Sequence, residues 1–138
     1  MDNNRFILYH KQATSARLLF FALNGSVCHF DSLPPDSKIV DSNLDQEQVV
    51  AYPEDFIPKI KEKLAIYEDI VELETAFEAI AKADDKTIAI YLVKLNTEDP
   101  PHEQLDHLEG KFISIIEARS LAPIESELLG LVYSFLMD

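Results

Sequence analysis

The dipeptide Asn24-Gly25 is the strongest local constraint on how this chain can fold, because its residues suit the positive φ angles of a type I′ hairpin turn. It follows residues 16–23 (Ala-Arg-Leu-Leu-Phe-Phe-Ala-Leu), an apolar run too short for an ordinary helix, and precedes residues 26–30. The spacing predicts a hairpin with a return strand over 26–30. Upstream, residues 5–11 (Arg-Phe-Ile-Leu-Tyr-His-Lys) are rich in β-branched and aromatic side chains, and 12–15 supply a polar break. The chain therefore opens with three strands.

Residues 31–52 read as a long loop with one short strand, around the apolar islands 38–40 and 49–50. Pro53 then opens a helix at a position where a missing amide is tolerated, and Ile57, Ile60, Leu64, Tyr67 and Val71 recur at helical steps. A second stripe, Ile70, Leu73, Phe77 and Ile80, starts one residue out of phase, and Asp69 with Glu72 has capping-box spacing. Two helices are expected, or one kinked near Glu68-Asp69. Residues 87–95 and 111–117 read as strands separated by an acidic loop, and Pro123 begins a last helix. The order β-β-β-α(α)-β-β-α predicts one α+β domain over 1–138, with helices packed on an antiparallel or mixed sheet.

With 25 acidic against 12 basic residues the chain carries a net charge of -13, so nucleic acid and anionic membrane surfaces are not expected partners. Only Arg5, Arg17 and Arg119 offer a guanidinium. Cys28 is the single cysteine, which excludes an intramolecular disulfide and agrees with a reduced cytoplasm. The N-terminal residues match no export signal, and their longest apolar stretch, 18–23, is too short to span a bilayer.

Gly25, Gly110 and Gly130 are the only glycines, so neither a P-loop nor a dinucleotide-binding turn is present and no cofactor is expected. Cys28 beside His29 could suggest a thiol nucleophile. On a strand, however, the two point to opposite faces, giving a buried cysteine beside a surface histidine. His102 and His107 lie in an acidic segment but are five residues apart, about 140° around a helix. Glu103 and His107 do satisfy the four-residue step and are the candidate metal ligands, against the reading of a solvated acidic loop. The carboxylates from Glu54 to Glu78 are either a helix's wet face or, if several converge, ligands for a divalent ion.

The last helix carries a wider apolar band than one core-facing stripe requires, and Leu128, Leu131, Val132, Phe135 and Leu136 are the candidate interface residues. They point to a protein partner or a homodimer, and to a non-catalytic protein-binding or adaptor domain acting through this helix and the acidic surface.

From Lys86 onward the succession of a strand over 87–95, a loop, Phe112-Ile113-Ser114-Ile115-Ile116-Glu117-Ala118 and a leucine-rich helix resembles the C-terminal half of Nudix hydrolase domains. The resemblance implies a Nudix-like fold and, as the alternative function, a degenerate nucleotide-binding or hydrolase domain. The family's box of paired glycines and a helix bearing Arg-Glu and then Glu-Glu is absent, so no catalytic residue is carried over and metal-dependent diphosphate hydrolysis is expected to be lost. In size, acidity and element order the chain is also similar to small acidic secretion chaperones, although it opens on a strand where they open on a helix.

Overall fold

The computed structural model describes residues 4–12, 17–23, 25–29, 33–34, 36–40, 56–66, 69–74, 77, 79–83, 86–98, 101–108 and 110–137. Strands β1 (Asn4–Lys11), β2 (Leu18–Ala22), β3 (Lys38–Val40), β4 (Val71–Leu73), β5 (Ala79–Ala83), β6 (Lys86–Leu95) and β7 (Lys111–Ile113) form one mixed sheet. The helices are α1 (Phe56–Leu64), the single turn α2 (His102–Leu105) and α3 (Pro123–Met137).

Strand order along the sheet is β3-β5-β6-β1-β2-β7. At its centre β1 runs parallel to β6, with Asn4 opposite Ala89 and Tyr9 opposite Lys94, and every other pair is antiparallel. The central strands are apolar on both faces, as a sheet covered on both sides requires. Alternation along the strands splits the core in two. Ile7, Tyr9, Phe20, Ile90 and Leu92 face Leu128, Leu129 and Val132 of α3. Phe6, Leu8, Phe21, Tyr91 and Val93 face Phe56, Ile60 and Leu64 of α1.

Helix α1 buries every fourth residue, and Pro58 sits in its first turn, where its amide would have no intrahelical partner anyway. It ends on Ala65 at φ 54°. The Ala65 amide donates to the Glu62 carbonyl at 3.2 Å and the Ile66 amide to the Lys61 carbonyl at 2.9 Å, the paired bonds of a Schellman cap. Ile66 is buried beside Ile60 and locks the turn from inside.

Four sequence expectations need correction. The second stripe is not a helix: Val71–Leu73 and Ala79–Ala83 are β4 and β5, which share the edge of β6 away from β1. The pairing groups of that edge are satisfied by these two strands, and this outweighs an apolar spacing of threes and fours. The chain does turn tightly at Gly25, with Leu23 and Ser26 exchanging bonds of 2.8 and 3.1 Å and Gly25 at φ 76°, while Asn24 lies outside the described residues. Among the described residues 26–29 no return strand follows, because both edges of β2 are taken by β1 and β7; the chain crosses instead to pair His29 with Phe6. The strand expected over 111–117 stops at Ile113, where a turn begins. Lastly, His29 is not on the surface but 1% exposed. The expected start of α1 at Pro53 lies outside the described residues.

Candidate functional site

A cavity of about 790 Å³ opens at the β2–β7 edge beside the turn that follows β7. Two features build it. Gly110 lets the chain enter β7 against β2: a Cβ there would lie 2.5 Å from both the Ala22 carbonyl oxygen and the Phe21 ring. Ser114 and Glu117 then form a reciprocal cap, the Ser114 amide donating to Glu117 Oε1 at 3.1 Å and the Glu117 amide to Ser114 Oγ at 3.2 Å. This cap starts the 3₁₀ turn Glu117–Ser120, and Ser120 Oγ closes it by donating to the Glu117 carbonyl at 2.9 Å.

The cleft is lined by the apolar Ile113, Ile116 and Leu121 and by the polar Lys111, Glu117 and Arg119, with Ile113 buried and Ile116 69% exposed. Lys111 and Arg119 are exposed. Glu117 is held below the usual carboxylate range by the Ser114 amide first, then by the Ser114 hydroxyl and the cations Lys111 and Arg17. Two of the chain's three arginines thus stand at or beside this cleft. A volume of this size lined by apolar residues and a few polar groups has the form of a small-molecule site, about 300–1,000 Å³ in general. A smaller cavity of about 360 Å³ lies on α1, lined by Pro58, Lys61, Glu62 and Ile66.

The other chemically suggestive side chains are structural. Cys28 is buried, and its thiol is pushed well up by burial and by Glu125, with Arg5 opposing, so it is no nucleophile at neutral pH. Burial lowers His29 from 6.5 to about 4; its neutral ring donates from Nε2 to the Phe21 carbonyl at 3.0 Å and lies between the Phe6 and Phe21 rings. Tyr9 donates to Glu74 at 2.6 Å and is raised by burial and by that carboxylate. His10 is buried and donates from Nε2 to the Thr97 carbonyl at 2.8 Å. Glu125, at 2% exposure, accepts from Ser26 Oγ and from the Val27 amide, both at 2.8 Å. It fastens the start of α3 to the segment beyond Gly25.

Of the proposed metal ligands, Glu103 is exposed on α2 and His107 is exposed in the 3₁₀ turn after it. Glu62, on α1, and Glu72, on β4, belong to different elements, and Glu74 is engaged by Tyr9. Glu54, Asp55, Glu68 and Glu78 lie outside the described residues. Among the described residues no three His, Cys, Asp or Glu side chains converge as a metal set.

The structure divides the five interface candidates. Leu128 and Val132 are fully buried in the core, Phe135 and Leu136 are half-buried against it, and Leu131 alone stands out at 46% exposure. No described helix is long and apolar enough to cross a membrane.

No family model and no curated protein matches this chain. Among solved structures it is similar to the crystal structure of C. elegans Ap4A hydrolase, a Nudix enzyme, with a TM-score of 0.54 and 22% identity over 96% of each chain. The likeness spans both halves of the chain. This α+β domain has a Nudix-like fold.

Proposed function

We propose that the chain is a nucleotide-binding domain that receives a phosphate-bearing nucleotide in the cleft between β7 and the 117–121 turn. The observation that carries this reading is the cleft itself. In a chain with a net charge of -13 it gathers Lys111 and Arg119 beside apolar residues in a cavity large enough for a base and sugar. Lysine and arginine supply charge-assisted donors for phosphate oxygens, and the accessible Ile116 and Leu121 offer apolar surface to a base. The shared fold adds support, since the similar solved protein is a hydrolase of Ap4A.

The family's diphosphate hydrolysis uses a divalent cation, and the described residues do not fit one. The outward side of α1 carries Lys59, Lys61 and Lys63 against the single carboxylate Glu62. The reading is therefore of binding, with no hydrolytic step.

Calorimetric titration with Ap4A and with ADP, each with and without Mg²⁺, tests it. Binding that persists without the metal is expected, and the double variant Lys111→Ala/Arg119→Ala should weaken it by about tenfold or more, since about 1.4 kcal/mol is a factor of ten. Absence of binding, or binding indifferent to the two cations, would remove the cleft from consideration. Conversion of Ap4A to products that requires Mg²⁺ and Glu62 would replace binding with catalysis.

A further inference from the structure

We propose that the cleft selects a ribonucleotide, with Glu117 accepting hydrogen bonds from the 2′- and 3′-hydroxyls of the sugar. This inference rests on the nucleotide-binding reading above and names the sugar that it leaves open.

Glu117 is the one side chain lining the cavity that does not suit a phosphate. Beside Lys111 and Arg119 it is the single carboxylate there. An ionised carboxylate accepts hydrogen bonds, donates none and repels an anion. A ligand made only of phosphate would leave it against like charge. A ligand that carries hydrogen-bond donors close to its phosphate is matched by all three side chains.

The carboxylate is held in place for that task. The Ser114 amide donates to Glu117 Oε1 at 3.1 Å, and the Glu117 amide donates to Ser114 Oγ at 3.2 Å, so main chain and side chain of Glu117 are both tied to the start of the turn. That amide first, then the Ser114 hydroxyl and the nearby Lys111 and Arg17, hold Glu117 below the usual carboxylate range, and it stays an acceptor at neutral pH. A carboxylate offers about four acceptor sites. Ser114 engages two of them through its amide and hydroxyl, which leaves room for a pair of ligand donors.

Position favours sugar hydroxyls over the amino groups of a base. Glu117 feels the charge of Lys111, so its ligand donors lie near the phosphate that Lys111 would hold. In a nucleotide the sugar stands between phosphate and base, and two adjacent hydroxyls can reach one carboxylate together. Ile116, next to Glu117 in the chain and 69% exposed, and Leu121 are left to the base. A sugar without the hydroxyls leaves Glu117 with only its repulsion of the phosphate.

Calorimetric titration of the full chain with ADP, 2′-deoxy-ADP and 2′,3′-dideoxy-ADP, without added metal, tests the proposal. Affinity should fall in that order, by about tenfold or more between the first and the last, as expected for hydrogen bonds to a charged acceptor. Glu117→Gln keeps an oxygen for the Ser114 amide but loses the charge. With an unchanged melting curve, it should shrink the ratio between ADP and the dideoxy compound by about threefold or more, whatever it does to phosphate affinity as such. Equal binding of the three nucleotides by wild type, still weakened by Lys111→Ala/Arg119→Ala, overturns the role of Glu117 and leaves the nucleotide cleft standing. A ratio that folded Glu117→Gln leaves intact overturns it as well. No binding of any of the three overturns both.

Discussion

Replacing Ala65 with glycine should stabilise the protein, although the same change inside a helix destabilises. Ala65 closes α1 in the left-handed region at φ 54°. An L-residue there suffers its own Cβ against the following carbonyl, at about 1–2 kcal/mol. Glycine escapes that penalty, and the side chain removed is exposed, so no packing is lost. Glycine's extra freedom in the unfolded chain takes back about 0.4–1 kcal/mol. The balance favours the variant by about 0.5–1 kcal/mol, a rise of about 2–3 °C in midpoint for a domain of this length. Urea denaturation followed by circular dichroism measures the difference, and an unchanged m-value would exclude an effect on the unfolded state's compactness. Ala65→Asn should fall between alanine and glycine, and Ala65→Val below alanine, since a β-branched residue tolerates this φ least. Helix propensity alone places glycine about 1 kcal/mol below alanine. The sign of the change therefore decides: a lowered midpoint for Ala65→Gly would refute the cap.

Three further outcomes follow from the buried groups. Because His29 titrates at about 4 when folded and near 6.5 when unfolded, the unfolded chain binds the extra proton between those values. The stability linked to this residue is fully present above pH 6.5 and is lost as pH falls towards 4, by about 3 kcal/mol at about 1.4 kcal/mol per unit. Urea midpoints of wild type and His29→Gln across pH 7.5 to 4.5 should converge by about that amount, on the order of one proton's linkage; a pH-independent gap would contradict a neutral buried ring. Glu125→Ala should cost about 3 kcal/mol by chemical denaturation, as it strands the Ser26 hydroxyl and the Val27 amide, whereas Glu125→Gln keeps an acceptor and should lose less. Gly110→Ala should destabilise by about 1–3 kcal/mol and distort the cleft, because its Cβ would strike backbone as well as the Phe21 ring.

Local patterns in the sequence carried the elements whose partners are near or whose apolar runs are long. The core of β1, the run that becomes β2, the positive φ of Gly25, the body of β6 and the start of α3 at Pro123 all follow from composition and spacing. Residues 70–80 misled because four apolar residues fall at helical steps, while the edge that claims the segment belongs to β6, which comes later in the chain. The burial of His29 was invisible for the same reason: it depends on pairing with Phe6, more than twenty residues away. The cleft did leave a signal. Ser114-Ile115-Ile116-Glu117 has capping-box spacing, yet its isoleucines suggested that the strand continues. Lys111 and Arg119 are brought to one rim only by the turn this box creates, and no linear motif announces that.

The parallel pairing of β1 with β6 bears on how the chain is made. The central strand β1 is synthesised well before its partner β6, so its long edge stays open until residues 86–95 have left the ribosome. Until then β1 has β2 beside Tyr9 to Lys11 and His29 beside Phe6 on one side only, and its other, apolar edge is free to pair with other chains. Such long-range closure is slow compared with forming a hairpin or helix. The domain thus commits to its fold only after β6 exists, and a fragment ending before Lys86 should be retained by chaperones or aggregate rather than fold as a smaller domain.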